Sequence, residues 1–293
     1  MSDELEPDGS DRAPQSGIPY ASLPPKVECW RCGNSVHPND GGSCPLCYAK
    51  IAEPTPGFQS THLQTHEFHH TGDGKAIKYL LWFYGAFLGL IIVHHWISQA
   101  LTPDTATTLS KGQAKSILAA YFVTTAFSIG LVIAAYISIS KCVTLSLSDR
   151  KNRTAVWLLS PLILAIMLGV NFGYHSFLMS IAGIDESDDL LLSHRSLLPA
   201  IIIAYCVAPA IIEEFFFRHI CLGVFRRNLD VHTSVFVTSM MFGLLHIGVP
   251  VSSPILAVIG IGFGYARVYS GGILLPILLH FFHNLFITLW EIS

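Results

Sequence analysis

Seven apolar runs separated by short polar connections occupy the chain from about residue 77 onward. A helix that crosses a bilayer needs about 20 mostly apolar residues. On that rule the runs predict spans over about 77–101, 114–140, 155–183, 197–224, 232–250, 252–270 and 272–291. The last three are divided only by Gly248, Pro250, Pro254, Gly271 and Gly272, so one of them could be a half-span or re-entrant segment. No soluble-repeat period is visible. The expected architecture is an all-α polytopic membrane bundle of about seven spans, preceded by a small separate module.

Composition agrees with the pattern. The 293 residues are 51% hydrophobic and 13% charged, with a mean hydropathy of +0.51; a soluble domain carries about 25% charged residues. The net charge of −3 selects no partner. No basic stripe with interleaved aromatics is present, so nucleic acid is not an expected partner.

Ahead of the spans, residues 1–26 are rich in Asp, Glu, Pro, Ser and Gly and read as a disordered tail. They lack the basic and apolar regions of a cleaved signal peptide. Residues 27–50 carry Cys29-Trp-Arg-Cys32 and Cys44-Pro-Leu-Cys47. Two CxxC pairs across a glycine-containing loop supply four thiolates for a structural zinc, and four thiolates leave no open coordination position for catalysis. A zinc ribbon with a structural or partner-binding role is therefore expected, in preference to two disulfides. Cys142, Cys206 and Cys221 lie singly in apolar runs and read as small core residues. Residues 51–76, with His62, His66, His69 and His70, read as a polar linker rather than a metal site.

Basic residues orient the spans. Lys141, Arg150, Lys151 and Arg153 follow the second run, Arg226 and Arg227 follow the fourth, and Arg267 lies near the end of the sixth. The acidic connection "GIDESDDLLLSHR" falls between them on the opposite side, and only Lys111 and Lys115 run against the pattern. The expected product is a multi-pass protein of the cell (cytoplasmic) membrane, with its N-terminus and ribbon cytosolic.

Against this apolar background, "CVAPAIIEEFFFRHICLGVF" places Glu213, Glu214 and Arg218 inside the fourth span. Each such charge costs roughly 2.5–3.5 kcal/mol at a helix centre, which makes unpaired intramembrane charges rare and functional. Glu214 and Arg218 are four apart, acid before base, and can neutralise each other. Glu213 sits about 100° away around the helix, without that partner. It lies roughly 18 Å from Phe225 at helical rise, too deep to snorkel. A lone carboxylate there is suited to act as a general base; the bland alternative is a buried structural ion network. His246 in the fifth run, and His280 and Asn284 in the seventh, fall at a similar estimated depth. His94, His95 and His175 read instead as interfacial or packing residues, and His219 as a supporting neighbour at best.

"EEFFFR", "FGLLH" and "HFFHN" together resemble, in order and spacing, the CAAX-protease and bacteriocin-processing (CPBP, or Abi) family of intramembrane proteases, which includes the type II CAAX prenyl endopeptidases. The resemblance covers about 197–291, leaving 77–196 as scaffold spans. It implies that Glu213 activates water with help from His246. It further implies that His280 and Asn284 stabilise the oxyanion and that Glu214 with Arg218 braces the site. The implied fold is an all-α membrane bundle with a chamber open to cytosol and membrane. Two histidines and a glutamate could also hold a catalytic zinc with one position open, although Asn284 is a poor ligand; metal-independent hydrolysis is slightly preferred. The expected partners are membrane lipid, a peptide or protein substrate that is lipidated or not, and a protein bound through the ribbon. Two other classes fit intramembrane charges: an ion- or proton-coupled transporter, and an inactive scaffold or immunity protein.

Overall fold

The computed structural model describes residues 26–29, 35–38, 42, 44, 51, 71–101, 109–145, 154–182, 191–246 and 251–292. Helices stand at all seven predicted runs. α1 spans Thr71–Leu101, α2 Lys111–Ser140 and α3 Ser160–Ala182, the last preceded by a short helical segment at Thr154–Leu158. α4 is a composite span over Arg195–Phe225. α5 is Val231–Leu245, α6 Ser253–Ser270 and α7 Leu274–Ile292. Trp82, Trp96, Phe177 and Trp290 stand exposed on the outer surface, an arrangement stable against lipid and not against water.

The expectation of about seven spans needs correction. Among the described residues five helices, α1 to α4 and α7, are long and apolar enough to cross a membrane. α5 has 15 residues, about 22 Å at helical rise, short of a hydrocarbon core of about 30 Å. α6 is 18 residues long, but Tyr265, Arg267 and three glycines dilute its apolar character. The two pack as a hairpin through small residues. A Cβ on Gly243 would lie 2.7 Å from both Ala257 Cβ and Ser253 O, and one on Gly264 would lie 2.8 Å from Val235 Cγ1. Such close backbone approach is a usual way for helices to associate in lipid.

Helix ends explain the turns. Ser110 and Gln113 form a capping box at the start of α2. Asp230 caps α5, accepting from the backbone N–H groups of His232 and Thr233. Bonds from the Thr233 hydroxyl and N–H hold the Asp230 carboxyl below its ordinary range. Gly271, at φ 74°, takes the left-handed conformation that ends α6.

Two polar contacts register the ends of the bundle. Arg227 Nε donates to Asp73 Oδ1 at 2.6 Å, which puts the start of α1 and the end of α4 on one side. Arg195 donates to the Ile292 carbonyl at 3.2 Å, joining the start of α4 to the end of α7. Inside, Phe87, Phe216, Phe217, Phe242 and Phe263 form a run of edge-to-face contacts from α1 through α4 to α6.

In the N-terminal module, β1 (Val27–Glu28) pairs antiparallel with β2 (Ser35–Val36), Val27 opposite Val36. This hairpin brackets the first CxxC pair. Cys29, Val36 and Cys44 are buried in an apolar cluster that also holds Leu222, Val231 and Val235, so the module rests on the junction of α4 and α5. Cys32 and Cys47, the predicted tail and most of the His-rich linker lie outside the described residues.

Candidate active site

α4 is not a uniform helix. An α-helical segment, Ala208–Glu214, is flanked by wider π-helical turns at Ile203–Val207 and Phe215–Cys221. Proline accounts for part of this. Pro209 has no N–H to give the carbonyl four residues back, that of Tyr205. Asn284 Nδ2 donates there instead, at 2.9 Å. The second widening has no such local reason in the sequence. π-turns within α-helices frequently mark functional sites.

Glu214 is wholly buried and meets two partners. Its Oε2 lies 3.3 Å from Arg218 Nε, the pairing that the i,i+4 spacing predicts. Its Oε1 accepts from His280 Nδ1 at 2.9 Å, so the α7 histidine is held by the second glutamate. Arg218 Nη2 donates to the Gly260 carbonyl at 3.0 Å. The guanidinium lies 4.6 Å from the Phe242 ring centroid and 5.3 Å from that of Phe263, and such contacts strengthen when desolvated. The Phe263 ring also stacks on His280 at 4.9 Å and 17°. One aromatic side chain thus fixes both groups that face Glu214.

Gly260 makes this possible, because a Cβ there would lie 3.3 Å from Arg218 Nη2 and 3.2 Å from Phe242. Gly260→Val is expected to destabilise the protein by about 1–3 kcal/mol, the usual range for overpacking. Thermal unfolding in detergent measures it, and an unchanged midpoint would refute this role for the glycine.

Glu213 is placed differently. Its Oε2 is buried and makes no hydrogen bond among the described residues. His246 stands at the C-terminal cap of α5, where the helix stops short. Its Nδ1 donates to the Phe242 carbonyl at 2.9 Å, which in the neutral ring leaves Nε2 with its lone pair. Asn284 Oδ1 lies 3.4 Å from His283 Nδ1, a histidine 1% exposed. His219 is also buried and packs against Phe215 and Tyr136.

Sequence reasoning missed one neighbour of Glu213. A cavity bounded by α1, α2 and α4 is lined by Glu213 and also by His94, Tyr121 and Thr124. His94, read from the sequence as an interfacial or packing residue, packs on Thr124 and Tyr121 and also lines a wall shared with Glu213. Phe87, Ile91 and His94 share one helix face by their i,i+4,i+7 spacing, but the facing residues of α2 have no motif.

Among the described residues, no three His, Cys, Asp or Glu side chains converge as metal ligands. Fold and site define a multi-pass helical membrane protein that encloses a carboxylate–arginine–histidine centre. Residues 195–286 match the family model described as type II CAAX prenyl endopeptidase Rce1-like, and this segment is a domain of that family. The match supports a protease domain in this segment, and all six candidate residues lie within it. No curated protein and no solved structure matches the chain.

Proposed function

We propose that the protein is an intramembrane endopeptidase in which Glu213 activates a water molecule for attack on a peptide carbonyl. The observation that carries this reading is the asymmetry of the two glutamates. Glu214 is occupied by Arg218 and His280, whereas Glu213 Oε2 has no partner among the described residues and its side chain lines a cavity. Water would give one hydrogen to Glu213 and the other to the lone pair of His246 Nε2, directing its own lone pair at the carbonyl.

Charge balance assigns the remaining roles. With Glu213 and Glu214 ionised and Arg218 and His280 protonated, the four groups are neutral together. When Glu213 takes the proton from water it loses its negative charge, as one develops on the carbonyl oxygen. His280, doubly protonated beside Glu214, has Nε2–H to donate to that oxyanion, and Asn284 has a second amide hydrogen beyond the one given to Tyr205. Preorganised donors of this kind supply much of the stabilisation in acyl transfer. Glu213 then passes its proton to the leaving amine. The substrate class is a peptide or protein with or without a lipid.

The buried pair Cys29 and Cys44 and the hairpin around the first CxxC support a four-thiolate structural zinc that is completed by Cys32 and Cys47, on a module that also receives a protein partner. The module rests at the end of α4 that carries Arg226 and Arg227, and the positive-inside tendency favours the cytosolic side for both. Cleavage of an unstructured reporter peptide by the purified protein tests the enzymatic reading. Equal turnover by wild type, Glu213→Ala and His246→Ala would sink it, and Glu213-dependent ion uptake into proteoliposomes without cleavage would favour a transporter.

A further inference from the structure

The cavity beside Glu213 has a second polar wall that the proposed chemistry does not use. His94 Nδ1 lies 3.0 Å from Thr124 Oγ1, and that hydroxyl donates its only hydrogen to the Ala120 carbonyl at 3.0 Å. Thr124 can therefore only accept from His94, so the ring hydrogen sits on Nδ1 and the lone pair on Nε2. Tyr121 packs edge-on to the ring at 5.0 Å and fixes its plane. That leaves His94 Nε2 as the acceptor of the ring on the lining of the cavity that Glu213 shares. A histidine lone pair and a glutamate side chain on the lining of one largely apolar cavity suit a ligand that carries N–H or O–H groups among apolar ones. Water answers Glu213, and an extended peptide backbone answers His94.

We infer that His94 is a substrate-positioning residue, its Nε2 accepting a backbone N–H of the bound peptide on the α1 wall of the cavity that Glu213 also lines. The inference rests on the peptidase reading for its substrate and deepens it. Thr124 acts through His94 by holding the tautomer that presents the lone pair. Glutamine at position 94 can place its amide oxygen where Nε2 stands, whereas asparagine reaches only the Nδ1 position.

The test uses the full chain in detergent, with a fluorescein-labelled unstructured casein peptide as the probe. Cleavage is followed in the wild-type background, and binding by anisotropy in the Glu213→Gln background. His94→Ala and His94→Asn are expected to raise KM and the dissociation constant about tenfold, the loss of one hydrogen bond to a buried partner, with kcat little changed. His94→Gln is expected to restore both to near the starting value. A KM and affinity unmoved by His94→Ala, or a glutamine variant no better than alanine at matched thermal stability, would overturn the inference. Peptide binding without cleavage by wild type would remove the peptidase reading and leave His94 to be judged on binding alone. Absence of both would remove the two together.

Discussion

Glu213→Gln is expected to lower peptide turnover by about 10²–10⁴-fold, the usual contribution of a positioned general base, while leaving the folded protein intact. Both halves of that expectation come from the same observation. Glu213 Oε2 has no hydrogen-bond partner among the described residues, so an isosteric amide breaks no contact. The amide also keeps the volume of the carboxyl, so the packing around it is undisturbed. The variant should therefore unfold close to the wild-type temperature while failing to hydrolyse the peptide. Paired thermal unfolding and single-turnover cleavage measure the two effects separately. Lost activity together with lost stability would recast Glu213 as a structural group.

Glu214→Ala should behave in the opposite way, lowering stability by about 3–5 kcal/mol because a buried charge loses its partner. Arg218, 1% exposed, would keep only the Gly260 carbonyl and the aromatic faces of Phe242 and Phe263, and His280 would lose the acceptor at its Nδ1. The double replacement Glu214→Met with Arg218→Met is expected to be milder than either single change, since it removes both charges at once. Thermal unfolding in detergent reads this cycle. Additive losses across it would show that the two side chains do not act as a pair. Activity should fall in all three variants, because each disturbs the hold on His280.

The comparison of glutamates also marks where one-dimensional reading succeeds. The i,i+4 relation of Glu214 and Arg218 depends only on helix geometry, and it survives even though Phe215–Cys221 is a wider helix. The long apolar runs of α1 to α4 and α7 were legible because a span is a property of consecutive residues. α5 was less so: its apolar run continues toward Pro250, but the helix ends at Leu245 and turns at His246. What remained hidden depends on contacts between elements. The Glu214–His280 bond joins residues 66 apart, and Pro209 leads to Asn284 only once α7 lies against α4. The shared cavity of His94 and Glu213 depends on how α1 and α2 pack against α4, which no spacing within either helix encodes.

Oxygen-18 transfer tests the central claim that Glu213 directs water onto a peptide carbonyl. Wild type and Glu213→Gln would be reconstituted in liposomes with a defined unstructured peptide in H₂¹⁸O, and the products weighed by mass spectrometry. The wild type is expected to yield a new C-terminal carboxylate carrying a single ¹⁸O atom, and Glu213→Gln no such product at matched protein and time. Labelled product formed at equal rates by both would contradict the assignment of the water to Glu213.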